Sequence, residues 1–198
     1  SEMPGGAMYV FRVNHMIISL SKFINNQATS GGAVYAEKVK GLVQVELLFV
    51  SNFAHTNGGA VFIKQALHII YQNVLFQENN ANKSGGAISL EIINNVRMEY
   101  VSINNNVAFL EGGGVKMKDC FSVIILASHI LNNKNNFNGA GVSCLGCTVL
   151  KCDQVHFENN IATQKGGGFY VANQRCSAFN QSSFYNNHTK TNTQSATY

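Results

Sequence analysis

Tryptophan is absent, proline occurs once, and charged residues make up only 12% of the 198 residues. Each shortage excludes something. Aspartate is confined to Asp119 and Asp153, so the clustered carboxylates of a glycan-cleaving or calcium site are hard to assemble. No apolar run is long enough to cross a bilayer as a helix, and the opening "SEMPGGAMYV" lacks the basic-then-apolar layout of a signal peptide. Lys and Arg outnumber Asp and Glu by only 14 to 10, without a basic run, so no electrostatic footprint for nucleic acid is present. With 45% hydrophobic residues the chain can still bury a core and is not a disordered tail.

What the chain has in excess is asparagine, 26 copies, and glycine, 18 copies. Both disfavour helix: asparagine competes for its own backbone, and glycine costs about 1 kcal/mol relative to alanine. Their spacing is regular. Glycine-rich clusters start at Gly5, Gly31, Gly58, Gly85, Gly112, Gly139 and Gly166, the first step being 26 residues and the next five 27. In step with them runs an F-x-x-N element at Phe23/Asn26, Phe49/Asn52, Phe76/Asn79, Ile103/Asn106, Ile130/Asn133, Phe157/Asn160 and Phe184/Asn187. A small residue follows two positions later in most copies: Ala28, Ala54, Ala81, Ala108 and Ala162. After the glycines, apolar residues alternate with others, as in Val61-Phe62-Ile63-Lys64, which is the period of a strand. Short strands turned by Gly and Asn in each 27-residue unit describe one coil of an all-β solenoid, a parallel β-helix of about seven coils.

If one unit is one coil, residues 27 apart stack at about 4.8 Å. Val34, Val61, Ile88, Val115, Val142 and Phe169 then form one inward apolar ladder, and the Phe positions form another. Asn26, Asn52, Asn79, Asn106, Asn133, Asn160 and Asn187 form a spine in which each amide bonds to its neighbour, with asparagine also suited to a left-handed turn. The glycine pair fits a corner with positive φ or a close backbone approach. Glu37, Lys64, Glu91 and Lys118 place opposite charges on successive rungs, which supports the register.

The candidate sites are few. Tyr9, Tyr35 and Phe62 share an outward column, whose stacked rings could hold a sugar face or bury against another rod. Simple cross-strand stacking is the plainer reading. His129 and His156 stack one rung apart without an Asp or Cys column beside them, so no metal site is expected. Among Cys120, Cys144, Cys147, Cys152 and Cys176, the pair Cys120 and Cys147 is one period apart and suits a bridge between rungs. Such a bridge agrees with an oxidising, extracellular setting; Cys144 and Cys152 also read as small core residues. The C-x-x-C spacing of Cys144 and Cys147 lacks a second pair to complete a zinc site. Asn82 and Asn180 begin Asn-x-Ser sequons expected to face outward and to accept glycan, whereas the sequon at Asn187 lies in the inward spine. No cofactor is expected.

The paired elements "FINN...GGAVY", "FVSN...GGAVF" and "FQEN...GGAIS" resemble the repeats of chlamydial polymorphic outer membrane proteins and of similar protist surface proteins. The resemblance implies a right-handed parallel β-helix displayed on a cell surface, serving adhesion or structure. The pattern departs where Ile103 and Ile130 replace Phe. It departs again where Gly112-Gly113-Gly114, Gly139-Ala140-Gly141 and Thr193-Gln194-Ser195 replace the glycine motif. No membrane barrel like that of the bacterial proteins is found in these residues.

The expectation is one β-helix repeat domain over residues 1–198. The chain starts just before a glycine pair and stops one strand into an eighth coil, without a polar cap at either end. It therefore reads as a fragment of a longer solenoid, or a segment whose ends meet other copies. The expected function is a non-catalytic extracellular structural or adhesive module. Its partners would be other copies, neighbouring segments of the same solenoid or cell-surface glycans, with no nucleic acid and no membrane span. The alternative is a carbohydrate-binding or polysaccharide-cleaving β-helix; ice binding would want a Thr-x-Thr array, which only "TKTNT" near the end offers.

Overall fold

A computed structural model describes residues 3–190 as an all-strand parallel β-helix. The eighth-coil position 193–195 and most of the "TKTNT" stretch lie outside the described residues. Every coil contributes to three stacked sheets. The long face carries strands such as Val34–Val45, Val61–Gln72 and Ile88–Glu99, which in later coils divide into two, as at Val115–Lys118 and Ser122–Leu126. The middle face stacks seven three-residue strands, from Lys22–Ile24 to Ser183–Tyr185, and the short face stacks seven two-residue strands, from Gln27–Ala28 to His188–Thr189. All pairings are parallel and in register: Val34 opposes Val61, which opposes Ile88, and Phe23 opposes Phe49, which opposes Phe76.

Two apolar ladders fill the interior. Val34, Val61, Ile88, Val115 and Val142 are fully buried, and Phe169 packs against them partly buried. Phe23, Phe49 and Phe76 stack with ring centroids 4.8 Å apart, the inter-rung spacing itself, and Phe157 and Phe184 resume the stack at 4.7 Å. Between them Ile103 and Ile130 substitute for Phe. Where most earlier coils place Ala60 or Ala87, these coils place Gly114 and Gly141. A Cβ at Gly114 would stand 2.9 Å from Ile103 Cγ2, and one at Gly141 would stand 3.1 Å from Ile130 Cγ2. The carbonyl oxygen of the next coil is nearer still, at 2.7 Å for Gly114 and 2.3 Å for Gly141, so close backbone approach also excludes a side chain there, and Gly168 keeps the glycine beside Phe157.

The glycine pair divides two tasks. Gly58 has φ of 67°, and a Cβ there would lie 2.2 Å from the Val61 carbonyl oxygen. Gly59 has no such φ, but a Cβ on it would meet the Gly86 carbonyl at 1.9 Å, because the backbones of adjacent coils are in contact.

The asparagine column runs through the interior of the turn between the middle and short faces. Asn79 Nδ2 donates to Asn106 Oδ1 at 3.0 Å and to the Phe49 carbonyl at 3.1 Å. Its Oδ1 accepts from the Asn52 backbone N–H at 3.0 Å and from Asn52 Nδ2 at 2.9 Å. Both donors and both acceptor positions of the amide are thus used. The amide-to-amide bond recurs from Asn26 to Asn187.

One expectation is corrected here. The ladder asparagines do not take the left-handed conformation; the residue before each one does. Asn25, Ser51, Glu78, Asn105, Asn132, Asn159 and Asn186 all have positive φ. Two more columns of non-glycine residues share this geometry, and one includes Ile92 at φ 59°, a β-branched residue where the conformation costs most. The charged column is in the expected register, Glu37 against Lys64 and Lys64 against Glu91, but the ion pair that Glu37 forms is with its chain neighbour Lys38, at 3.7 Å.

Two outcomes test the turn chemistry. Asn106→Ala is expected to lower the unfolding free energy by about 1–3 kcal/mol by orphaning buried donors. Asn106→Asp, which keeps the shape but not the N–H donors, should not rescue it; an unchanged urea midpoint in either variant would contradict the ladder's role. Ile92→Asn is expected to raise stability by about 1 kcal/mol by relieving left-handed strain at a half-exposed position, and a lower midpoint would contradict it.

Candidate contact surface

The long face orders an aromatic patch because its strands place the same column outward on each rung. Tyr9 opposes Tyr35, and Tyr35 opposes Phe62. The Tyr9 and Tyr35 rings stack at 5.3 Å with an interplanar angle of 6°, and Phe62 follows at 5.3 Å, tilted by 33°. Exposure falls steeply along this column. Tyr9 is 55% exposed and Phe62 only 6%, so Phe62 is not available as a contact residue, contrary to expectation. Phe62 has a described rung on each side, at Tyr35 and Ser89, whereas Tyr9 stands on the first described rung.

The patch instead extends sideways, to residues the sequence reading missed. Phe11, two positions from Tyr9 and so on the same face, is 40% exposed with its ring 6.4 Å from that of Tyr9. The Arg12 guanidinium lies 4.9 Å from the centre of the Phe11 ring, and the Lys38 ammonium lies 5.5 Å from it. Period-2 alternation after the first glycine pair could have pointed to Phe11. The two cations sit at the left-handed bend, with φ of 55° at Arg12 and 59° at Lys38, which turns them back over the ring. Tyr35 donates its hydroxyl proton to Glu37 Oε2 at 3.0 Å, and partial burial together with that carboxylate pushes its pKa up to about 12. The result is an aromatic platform rimmed by cations, suited to stacking on a sugar ring or an apolar side chain.

The other candidate residues are placed as follows. Asn82 and Asn180 are both exposed, with Asn180 Nδ2 donating to Asp153 Oδ1 at 2.9 Å, while Asn187 Oδ1 is occupied by the ladder bond from Asn160. His129 and His156 meet edge-on at 6.1 Å, and the His156 ring is engaged by Glu158 at 2.9 Å and by Ser183. Among the described residues no group of three or more His, Cys, Asp and Glu side chains could hold a metal ion. No helix among them is long and apolar enough to cross a membrane.

The cysteine pairing differs from the expected bridge between rungs. Cys144 is joined to Cys147 within one coil, with Cα atoms 6.2 Å apart, and Cys120 remains a buried thiol. Gly146, at φ 67°, bends the chain between the two. The bend brings the C-x-x-C sulfurs together inside the core, where both residues are fully buried. Burial pushes the Cys120 and Cys152 thiols up to about 12.

Comparison with known families agrees with the repeat. Three segments, 21–37, 73–91 and 154–172, match the Chlamydia polymorphic membrane protein (Chlamydia_PMP) repeat. Together they cover less than a third of the chain, and each carries one F-x-x-N element and the glycine motif that follows it. The chain shows no significant match to a curated protein or to a solved structure.

The thiol assignment is checked by alkylation and peptide mass mapping. At pH 8 the native protein is expected to label at exposed Cys176, and at Cys120 and Cys152 only after unfolding, because only the thiolate reacts and burial disfavours it. The peptide holding Cys144 and Cys147 should be short of two hydrogens. A peptide cross-linked through Cys120 and Cys147 would restore the bridge between rungs.

Proposed function

We propose that the chain is a non-catalytic solenoid module displayed on a cell surface or in a fibre, where it acts as a rigid spacer and adhesive element. The observation that carries this reading is the exposed platform of Tyr9 and Phe11, with Arg12 and Lys38 over the latter ring, on a scaffold whose interior is continuous from rung to rung. The matched repeat carries the name of a membrane protein of Chlamydia, which supports a surface setting. The buried bridge of Cys144 and Cys147 supports an oxidising one. Glycan at Asn180 belongs to the same reading, since its side chain is exposed.

Several of the carboxylates are paired in ways that favour structure over cleavage. Glu111 is held by Lys116 at 2.9 Å, Glu99 by Arg97 and Glu158 by His156. Partners for the platform are cell-surface glycans or another copy of the same solenoid.

The test is adhesion of protein-coated beads to cultured epithelial cells. Coated beads are expected to adhere above the level of uncoated ones, and the Tyr9→Ala, Phe11→Ala double variant to lose about tenfold in affinity, the loss typical of truncating an aromatic anchor. Adhesion no higher than that of uncoated beads would overturn the adhesive reading.

A further inference from the structure

We infer that the outer side of the short face holds a second binding site, separate from the Tyr9 platform, for a linear acidic polysaccharide of the uronate-bearing class. A groove of about 390 Å³ runs there along the helix axis, within the size range of small-ligand sites. Its walls are two stacked columns, flanking the small residues Ala81 and Ala108 that form its floor. Asn80, Val107 and Lys134 belong to one wall, and Asn82, Phe109 and Lys190 to the other. In the preceding coils the same two columns touch. Gln27 Nε2 lies 2.9 Å from His55 Nε2, and the Phe53 ring packs edge-on against His55 at 5.0 Å, which closes the groove at that end.

The lining specifies the ligand. The strands beneath are paired on both sides, so the backbone has no free edge to offer an extended peptide. Recognition falls to side chains, and these are of three kinds. The amides of Asn80 and Asn82 suit the donor and acceptor hydroxyls of a sugar. Phe109, 59% exposed, offers a flat face to a pyranose ring. Lys134 and Lys190 enter no ion pair among the described residues, and no Asp or Glu lines the groove. Lys83, next to Asn82 and exposed, adds a third positive charge, while Glu111 of the following loop is neutralised by Lys116. A rung advances about 4.8 Å, close to the advance of one residue in an extended sugar chain. Successive coils can therefore address successive sugars, with the ammonium groups on the carboxylates.

Binding is measured by calorimetry on unglycosylated protein from a bacterial host, with hexagalacturonate as probe and maltohexaose and hexaglutamate as comparisons. Hexagalacturonate is expected to bind and maltohexaose not. Lys134→Glu, at an exposed position that the fold does not depend on, should weaken binding about tenfold. Lys151→Glu on the long face should leave it unchanged. Absence of hexagalacturonate binding, equal binding by Lys134→Glu, an equal loss in Lys151→Glu, or hexaglutamate binding as tightly would each overturn the assignment. The adhesive reading of the Tyr9 platform is measured separately, so neither result decides the other.

Discussion

One hydrogen-bond arrangement underlies the rest of the molecule: an asparagine amide that gives two bonds and receives two, repeated from Asn52 to Asn160 at the turns between the middle and short faces. A bend in the chain leaves backbone groups without sheet partners, and a buried unpaired group costs about 1–3 kcal/mol. Asparagine closes the bend by bonding forward to the next coil's amide and backward to the carbonyl of the Phe position. Because each side-chain oxygen takes both bonds from a single preceding asparagine, the column tolerates no slip between rungs. Once it is aligned, the aromatic stack of Phe23, Phe49 and Phe76 is fixed at the rung spacing, and the glycine corner is brought against its neighbour.

Such a scaffold frees its outer columns. Inward positions are set by the rung spacing, as the stacked rings of Phe23, Phe49 and Phe76 illustrate. Outward positions answer only to solvent and to cross-strand neighbours, so one column can change from Gln27 to Phe53 to Asn80 to Val107 to Lys134 without disturbing the ladder. The aromatic platform, on the first two coils, and the lysine-bearing groove, on later ones, lie on different faces of the solenoid. A solenoid of this kind carries binding chemistry on surfaces that its folding does not constrain.

Much of this was legible in the sequence because a parallel β-helix converts spacing directly into contact. The period gave the register, the strand alternation gave the inward columns, and seven asparagines in step gave the spine. Three features were not legible, each for a physical reason. The left-handed residue precedes the asparagine, and since Glu78 and Ser51 take that role as well as Asn105, no residue type marks it. The bridge of Cys144 and Cys147 depends on the bend at Gly146, whereas spacing alone favoured the rung neighbour Cys120. The groove along Asn80, Val107 and Lys134 is formed by height differences between outer columns, and a period says nothing about how deep the space between two columns is.

The central claim, that the asparagine amides are bonded at all four positions, is tested most directly by hydrogen exchange of the side-chain NH2 groups in NMR spectra. Both protons on Asn79, Asn106 and Asn133 are expected to exchange only through global unfolding, while the exposed NH2 of the adjacent Asn105 exchanges rapidly. Ladder amides that exchange as fast as that of Asn105 would show that the column is not the constraint holding the coils in register.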